Sequence, residues 1–153
     1  MATAHRRWAA ELLHFWFHRL KPRDWFRGGP QVDEALRKRF EPDLLAVFAR
    51  PADEFLTDPL TAQAAVLLFD QIPRNLYRGT AEAFAFDPLA RHICHGVLAR
   101  GWDRGLSRAE RQFLGLPLEH SEHIADQLAS LRYFMALGDA GTYAFALGHY
   151  RMI

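Results

Sequence analysis

Asp58-Pro59-Leu60-Thr61-Ala62-Gln63-Ala64-Ala65-Val66-Leu67-Leu68-Phe69-Asp70-Gln71-Ile72-Pro73-Arg74-Asn75 is the stretch on which the fold turns. Asp58 supplies a carboxylate acceptor for the free amides of a helix start, and Pro59 suits the first helical position, where no N–H is needed. Leu60, Ala64, Leu67 and Leu68 then recur at helical spacing. Ala64 to Phe69 is as long as any apolar run in the chain, far short of the ~18 residues that cross a bilayer. Asp70 falls in the last turn, where the negative end of the helix dipole disfavours a carboxylate by about 0.3–1 kcal/mol, so it needs a compensating partner. Pro73 disfavours the helical region for Ile72, which predicts a turn there and lets Arg74 fold back onto Asp70 or the free carbonyls.

Helical periodicity extends outward on both sides. Trp8, Leu12, Phe15, Trp16 and Leu20 form one stripe of a first helix, and Val32, Leu36 and Phe40 a second. Pro42 is expected to end that helix, leaving Asp43 to Ala49 as a separate or kinked turn. Asp87-Pro88 repeats the Asp-Pro start and opens a helix with Leu89, Ile93 and Val97 that stops at Gly101. Ser107-x-x-Glu110 reads as a capping box for a short helix ending at Gly115, and a longer helix is expected from Leu118 to Leu137, before Gly138. Tyr143 to Ile153 reads as a last helix without a stop signal behind it. No segment alternates with period two. Six or seven helices joined by short loops predict a single all-α domain over residues 1–153, an antiparallel array.

Composition narrows the function. The 153 residues carry 19 Lys+Arg against 18 Asp+Glu, so the basic surplus typical of a nucleic-acid binder is missing. Half of them are hydrophobic, which excludes a disordered tail, and the lone Cys94 excludes an internal disulfide framework. Met1 to Arg7 has the charge of a signal-peptide start, but Glu11 and His14 interrupt the apolar stretch behind it, so it reads as part of the fold and the protein as cytoplasmic, with no membrane partner. Twelve Phe and four Trp leave aromatic surface to spare, which makes self-association an expectation.

Two clusters place polar groups against the helical pattern. One is Asp70-Gln71-Ile72-Pro73-Arg74-Asn75, where Arg74 and Asn75 could offer a donor fork and an amide to a ligand. The other is Leu116-Pro117-Leu118-Glu119-His120-Ser121-Glu122-His123, read as the opening of a helix. There, Glu119 and Glu122 suit the positive end of the dipole, and the density of acids and imidazoles could hold a general acid or base. Their shared out-of-pattern polarity predicts that the two clusters touch. The pairs His14 and His18, His92 and His95, and His120 and His123 have helical spacing, but no third ligand falls into a metal-binding frame, so no metal is assigned and no cofactor is named. Cys94 reads as a small buried hydrophobe.

The two clusters together resemble bacterial domain-of-unknown-function family 924, which carries a DQxPRN segment and an LPLEHSE segment at about this separation. Phe15-Trp16-Phe17, Arg78-Gly79-Thr80, Tyr143-Ala144 and His149 add to the likeness, which covers nearly the whole chain from about Leu12. The resemblance implies a tetratricopeptide-like helical array of unassigned activity. It also implies a further segment of GRFPHRN type beyond Ile153. Residue by residue it supports Asp70, Gln71, Arg74, Asn75, Glu119, His120, Ser121, Glu122 and His149.

Three readings follow. The first is a binding module whose polar pocket takes a small anionic ligand or a peptide end through Asp70, Gln71, Arg74, Asn75, Ser121 and His149. The second is a hydrolase or proton-transfer enzyme using Glu119, His120 and Glu122 as acid and base, with Arg74 stabilising negative charge. The third is a polar network that only locks helix ends together. A closed, fully satisfied Asp70–Arg74–Glu119 network without a cavity would mark the third.

Overall fold

A computed structural model of the protein describes residues 2–152, and all regular structure among them is helical. Seven helices have twelve or more residues: α1 (Ala2–His14), α3 (Pro30–Val47), α4 (Pro59–Asp70), α6 (Asp87–Ala99), α7 (Arg108–His120), α8 (Ile124–Leu137) and α9 (Ala140–Met152). Two of five residues, α2 (Pro22–Phe26) and α5 (Ile72–Leu76), lie between them. Met1 and Ile153, expected at the outer ends of the first and last helices, lie outside the described residues. No described helix is long and apolar enough to cross a membrane.

The decisive stretch becomes the centre of the molecule. Every residue of α4 from Thr61 to Asp70 is buried. A helix that is apolar on all sides has to be enclosed, and α1, α3, α6 and α7 pack around it. Its start is as expected: the Thr61 amide donates to Asp58 Oδ1 at 2.9 Å, and the Thr61 hydroxyl to Oδ2 at 2.8 Å. On one side Phe69 meets Phe55 edge-on, with ring centres 5.2 Å apart, and Phe86 beyond. The stripe predicted for the first helix is realised by α1 and the π-helical turn Phe15–Arg19 that extends it, with Trp8, Leu12, Phe15 and Trp16 all buried. Helices α7, α8 and α9 then pack in sequence, α8 on α7 and α9 on α8.

The boundaries expected at Pro42, Gly115, Leu118 and Asp87 fall elsewhere. Pro42 does not end the second long helix, since α3 runs unbroken to Val47. Proline removes the hydrogen bond to the carbonyl four residues back, and here both Pro42 and Lys38 are exposed, so water can take that carbonyl. Pro42→Ala should therefore stabilise the protein by about 1–2 kcal/mol, the helical gain less the added freedom of the unfolded chain. A thermal melt would show a rise of roughly 2–8 °C, and an unchanged melt would mean that α3 is already relieved at this point.

Gly115 likewise is not a stop. Helix α7 continues through Gly115 and Pro117 to His120. A Cβ on Gly115 would lie 2.7 Å from the Tyr133 ring, so the glycine serves the close approach of α7 and α8. The next helix starts at Ile124, not Leu118, and Glu119 and His120 lie in the last turn of α7 instead of opening a helix. Finally, Asp87 is not an N-cap but the first residue of α6, preceded by Phe86, and its carboxylate is used elsewhere. The Ser107–Glu110 capping box and the glycine ends at Gly101 and Gly138 form as predicted. Cys94 is buried, its thiol pushed up by burial and set 3.2 Å from the Leu114 carbonyl oxygen.

Candidate functional site

Because α4 and α7 pack together, their C-terminal turns meet, and those turns carry Asp70 and the Glu119-His120 pair. The negative ends of two helix dipoles and two carboxylates thus converge, and cations are needed to balance them. Arg74, one turn on from Asp70 in α5, donates from Nη1 to the Asp70 carbonyl at 2.6 Å and lies 3.5 Å from Asp70 Oδ1. Its fork then closes on Asp87, with Nη1 and Nη2 on the two carboxylate oxygens at 2.8 and 3.0 Å. The turn expected at Ile72 is replaced by this short helix, which sets Arg74 back against the end of α4.

Asp70 is fully buried. His120 Nδ1 donates to its Oδ1 at 2.8 Å, and the Gln71 side chain donates to Oδ2 at 2.8 Å. Burial alone would raise the Asp70 pKa, but His120, Arg74 and Gln71 together hold it below the usual carboxylate value. His120 responds in the opposite sense. Burial pulls its pKa down, yet the Asp70 carboxylate outweighs this and keeps the imidazole protonated to higher pH than an ordinary histidine.

With Nδ1 committed to Asp70, His120 Nε2 faces Glu119 Oε2 at 3.4 Å. Glu119 is only 2% exposed, and Oε2 has no hydrogen-bond partner. Its other oxygen lies 3.1 Å from His149 Nδ1, which also donates to the Glu119 carbonyl at 2.5 Å. Burial raises the Glu119 pKa, opposed by His120 and His149 and reinforced by Asp70. Gln127 of α8 completes the helix end by donating to the freed carbonyls of Glu119 and Ser121 at 2.7 and 2.5 Å.

Two clefts have Arg74 and His120 in their walls. The first, of about 660 Å³, has charged and polar residues such as Asp87, Arg91, Ser121 and His149 among its lining. The second, of about 610 Å³, is walled by Trp25, Phe26, Phe113 and Phe145, with Glu119 at its polar end.

The two sequence clusters therefore touch, and Asp70, Gln71, Arg74, Glu119, His120 and His149 come together. Ser121 and Glu122 edge the first cleft. The Ser121 hydroxyl is occupied by Asp126 at 2.7 Å, and Glu122 is largely exposed, 3.8 Å from His149 Nε2. Asn75 does not join them, since it donates to Asp33 at 2.9 Å alongside Arg78 and ties α5 to α3. Nor does Arg74 offer an open fork. The sequence reading missed Asp87, although a planar guanidinium takes two oxygens and Asp70 alone does not satisfy it. It also missed Asp126, a buried carboxylate that gathers Arg91, His95 and Ser121. Among the described residues no three of His, Cys, Asp and Glu are placed to hold a metal, and His14 and His18 instead stack on one another.

The protein is thus an all-α array with a buried Asp–His–Glu chain where two helix ends meet. The chain belongs to the family described as bacterial protein of unknown function (DUF924), whose model matches residues 12–153. It is similar in structure to a protein of unknown function, ATU0120, from Agrobacterium tumefaciens, at 33% identity and a TM-score of 0.89, over 98% of this chain and 83% of that one. No curated protein matches it.

Proposed function

We propose that the protein is a helical binding module, a tetratricopeptide-like cytoplasmic receptor that takes a small polar ligand or a peptide end at the junction of Asp70, Arg74, Glu119 and His120. The observation that carries this reading is the Glu119 Oε2 atom, buried without a hydrogen-bond partner beside the second cleft, with His120 Nε2 3.4 Å away. An unsatisfied buried polar atom costs about 1–3 kcal/mol, more if charged, and His120 Nε2 offsets the charge of Oε2 without bonding it. The ligand that relieves it brings a hydrogen-bond donor. The anionic preference read from the sequence rests on Arg74, whose fork an anion would have to displace from Asp87.

A thermal-shift panel of amino acids, amines, carboxylates, nucleosides, sugars and dipeptides tests this. At least one class should raise the parent melting temperature, and Glu119→Gln or His120→Ala should abolish that rise. If no compound has an effect that depends on Glu119 or His120, the binding reading fails.

Glu119→Gln also carries a prediction without ligand. A carboxyl whose folded pKa lies above its ordinary 4.5 loses stability as pH rises past that ordinary value. The amide escapes this cost, so at pH 7–8 the variant should exceed the parent by about 1 kcal/mol and melt roughly 2–4 °C higher. The advantage should vanish near pH 4. A variant less stable than the parent at pH 7–8 would show that the carboxylate is satisfied after all.

A second reading is favoured by the order of the chain. Asp70 orients His120 through Nδ1, leaving Nε2 against a carboxyl whose raised pKa suits proton exchange, as a hydrolase or proton-transfer enzyme requires. Loss of solvent proton exchange at the His120 ring on Glu119→Gln, followed by NMR, would support it, and unchanged exchange would count against it.

A further inference from the structure

The second cleft is built differently from the first. Its walls are aromatic: Trp25 and Phe113 meet edge-on with ring centres 5.1 Å apart, Phe26 stacks on Phe113 at 6.3 Å, and Phe145 adds a further ring to the lining. Phe26 and Phe145 are 64% and 71% exposed, an arrangement that folding does not explain, because neither ring is buried by the protein itself. At the polar end stands Glu119, nearly fully buried, with Oε2 lacking a hydrogen-bond partner. Of the cations that share this wall, Arg74 is held by Asp87, and His120 is bonded to Asp70 through Nδ1 while its Nε2 lies 3.4 Å from Glu119 Oε2, too poorly aligned to bond it. Asp139 on the rim caps α9 through Thr142 and adds a further negative charge.

We infer that the aromatic cleft binds an organic ammonium group, whose N–H bonds to Glu119 Oε2 and whose apolar substituent lies among Trp25, Phe26, Phe113 and Phe145. This rests on the binding reading above and names its ligand class. A cation is selected over a neutral donor for two reasons. It adds to the charge compensation that His120 and His149 give the buried carboxylate and supplies the hydrogen bond that Oε2 lacks, and the faces of aromatic rings attract positive charge. A carboxylate or phosphate would meet Glu119 and Asp139 as like charges. An amine-bearing apolar group, such as the N-terminal residue of a peptide or a free aralkyl amine, satisfies both ends.

Three probes that share a phenylethyl group decide it: 2-phenylethylamine, 2-phenylethanol and 3-phenylpropionate, titrated into the full chain and followed by amide NMR at Trp25, Phe26, Leu116, Glu119 and Phe145. The amine should bind at least tenfold more tightly than the other two. Glu119→Gln should reduce it to the level of the alcohol, and Phe145→Ala, an exposed and structurally tolerant change, should weaken the amine severalfold. If the alcohol or the carboxylate binds as tightly as the amine, and Glu119→Gln still weakens it, the ammonium assignment is overturned while the binding reading stands. If none of the three perturbs these amides at millimolar concentration, the cleft assignment falls, and the thermal-shift panel decides the broader reading independently.

Discussion

Asp70→Asn is expected to cost about 3–5 kcal/mol at pH 7, the usual loss when one member of a buried charged pair is removed and its partner stays behind. The carboxylate is fully buried and holds His120 at 2.8 Å and Gln71 at 2.8 Å, with the Arg74 guanidinium beside it. An amide of the same shape leaves the imidazole and the guanidinium without the negative charge that drew them in. The loss should depend on pH in a definite way. The Asp70 pKa lies below its unfolded value, so its contribution is present above 3.8 and fades as pH falls through the folded value. The His120 pKa lies above its unfolded value, so its contribution is complete below 6.5 and fades as pH rises through the folded value. The gap between parent and variant should therefore be widest between these limits and narrow on both sides. Urea unfolding across that range, with m-values checked for constancy, measures it. The His120 imidazole, deprived of its partner but still buried, should titrate below the ordinary histidine range in the variant. A small gap that is flat in pH would mean that the Asp70–His120 bond does not carry charge.

This charged junction explains why the two sequence clusters could be read as one site before any contact was seen. A carboxylate at the C-terminal end of an apolar helix is a local contradiction, and Asp70-Gln71-Ile72-Pro73-Arg74 states it without reference to the rest of the chain. The helices were equally open to reading where a single local feature decides them, as with the Asp58 cap, the Ser107–Glu110 box and the glycines at 101 and 138. What stayed hidden was every choice made by a distant partner. Gly115 looks like a stop until Tyr133 of α8 approaches it, and Asp87 looks like a cap until Arg74 claims its carboxylate. Misplacing the end of α7 had a chemical consequence. Glu119 and His120 were expected at a positive helix end, where an anion would be welcome, and they stand at a negative one, where a proton or a cation is. Asp126 escaped notice because a lone Asp in the first turn of a helix complements the dipole and asks for nothing more. Its burial and its contacts with Arg91, His95 and Ser121 appear only once α6 and α8 are assembled.

Phe69→Ala, one residue earlier on the same helix, should lose a similar amount for a different reason, and the comparison separates the two kinds of stabilisation. Phe69 is fully buried in the helix that the other elements surround, with Phe55 edge-on at 5.2 Å and Phe86 tilted against it at 6.3 Å. Truncation removes the buried ring and leaves a cavity that the enclosing helices can only partly close, which costs about 3–5 kcal/mol. For a domain of this size that is a fall in melting temperature of roughly 10 °C. No titrating group changes partner, so the loss should be the same at acidic, neutral and alkaline pH, where the Asp70→Asn loss rises and falls. Equal pH profiles for the two variants would show that Asp70→Asn acts by loosening the end of α4, not by stranding His120. A loss for Phe69→Ala of under about 1 kcal/mol would mean that α4 is not the enclosed centre of the fold, since an interior packed to crystal-like density does not give up a phenyl ring at that cost.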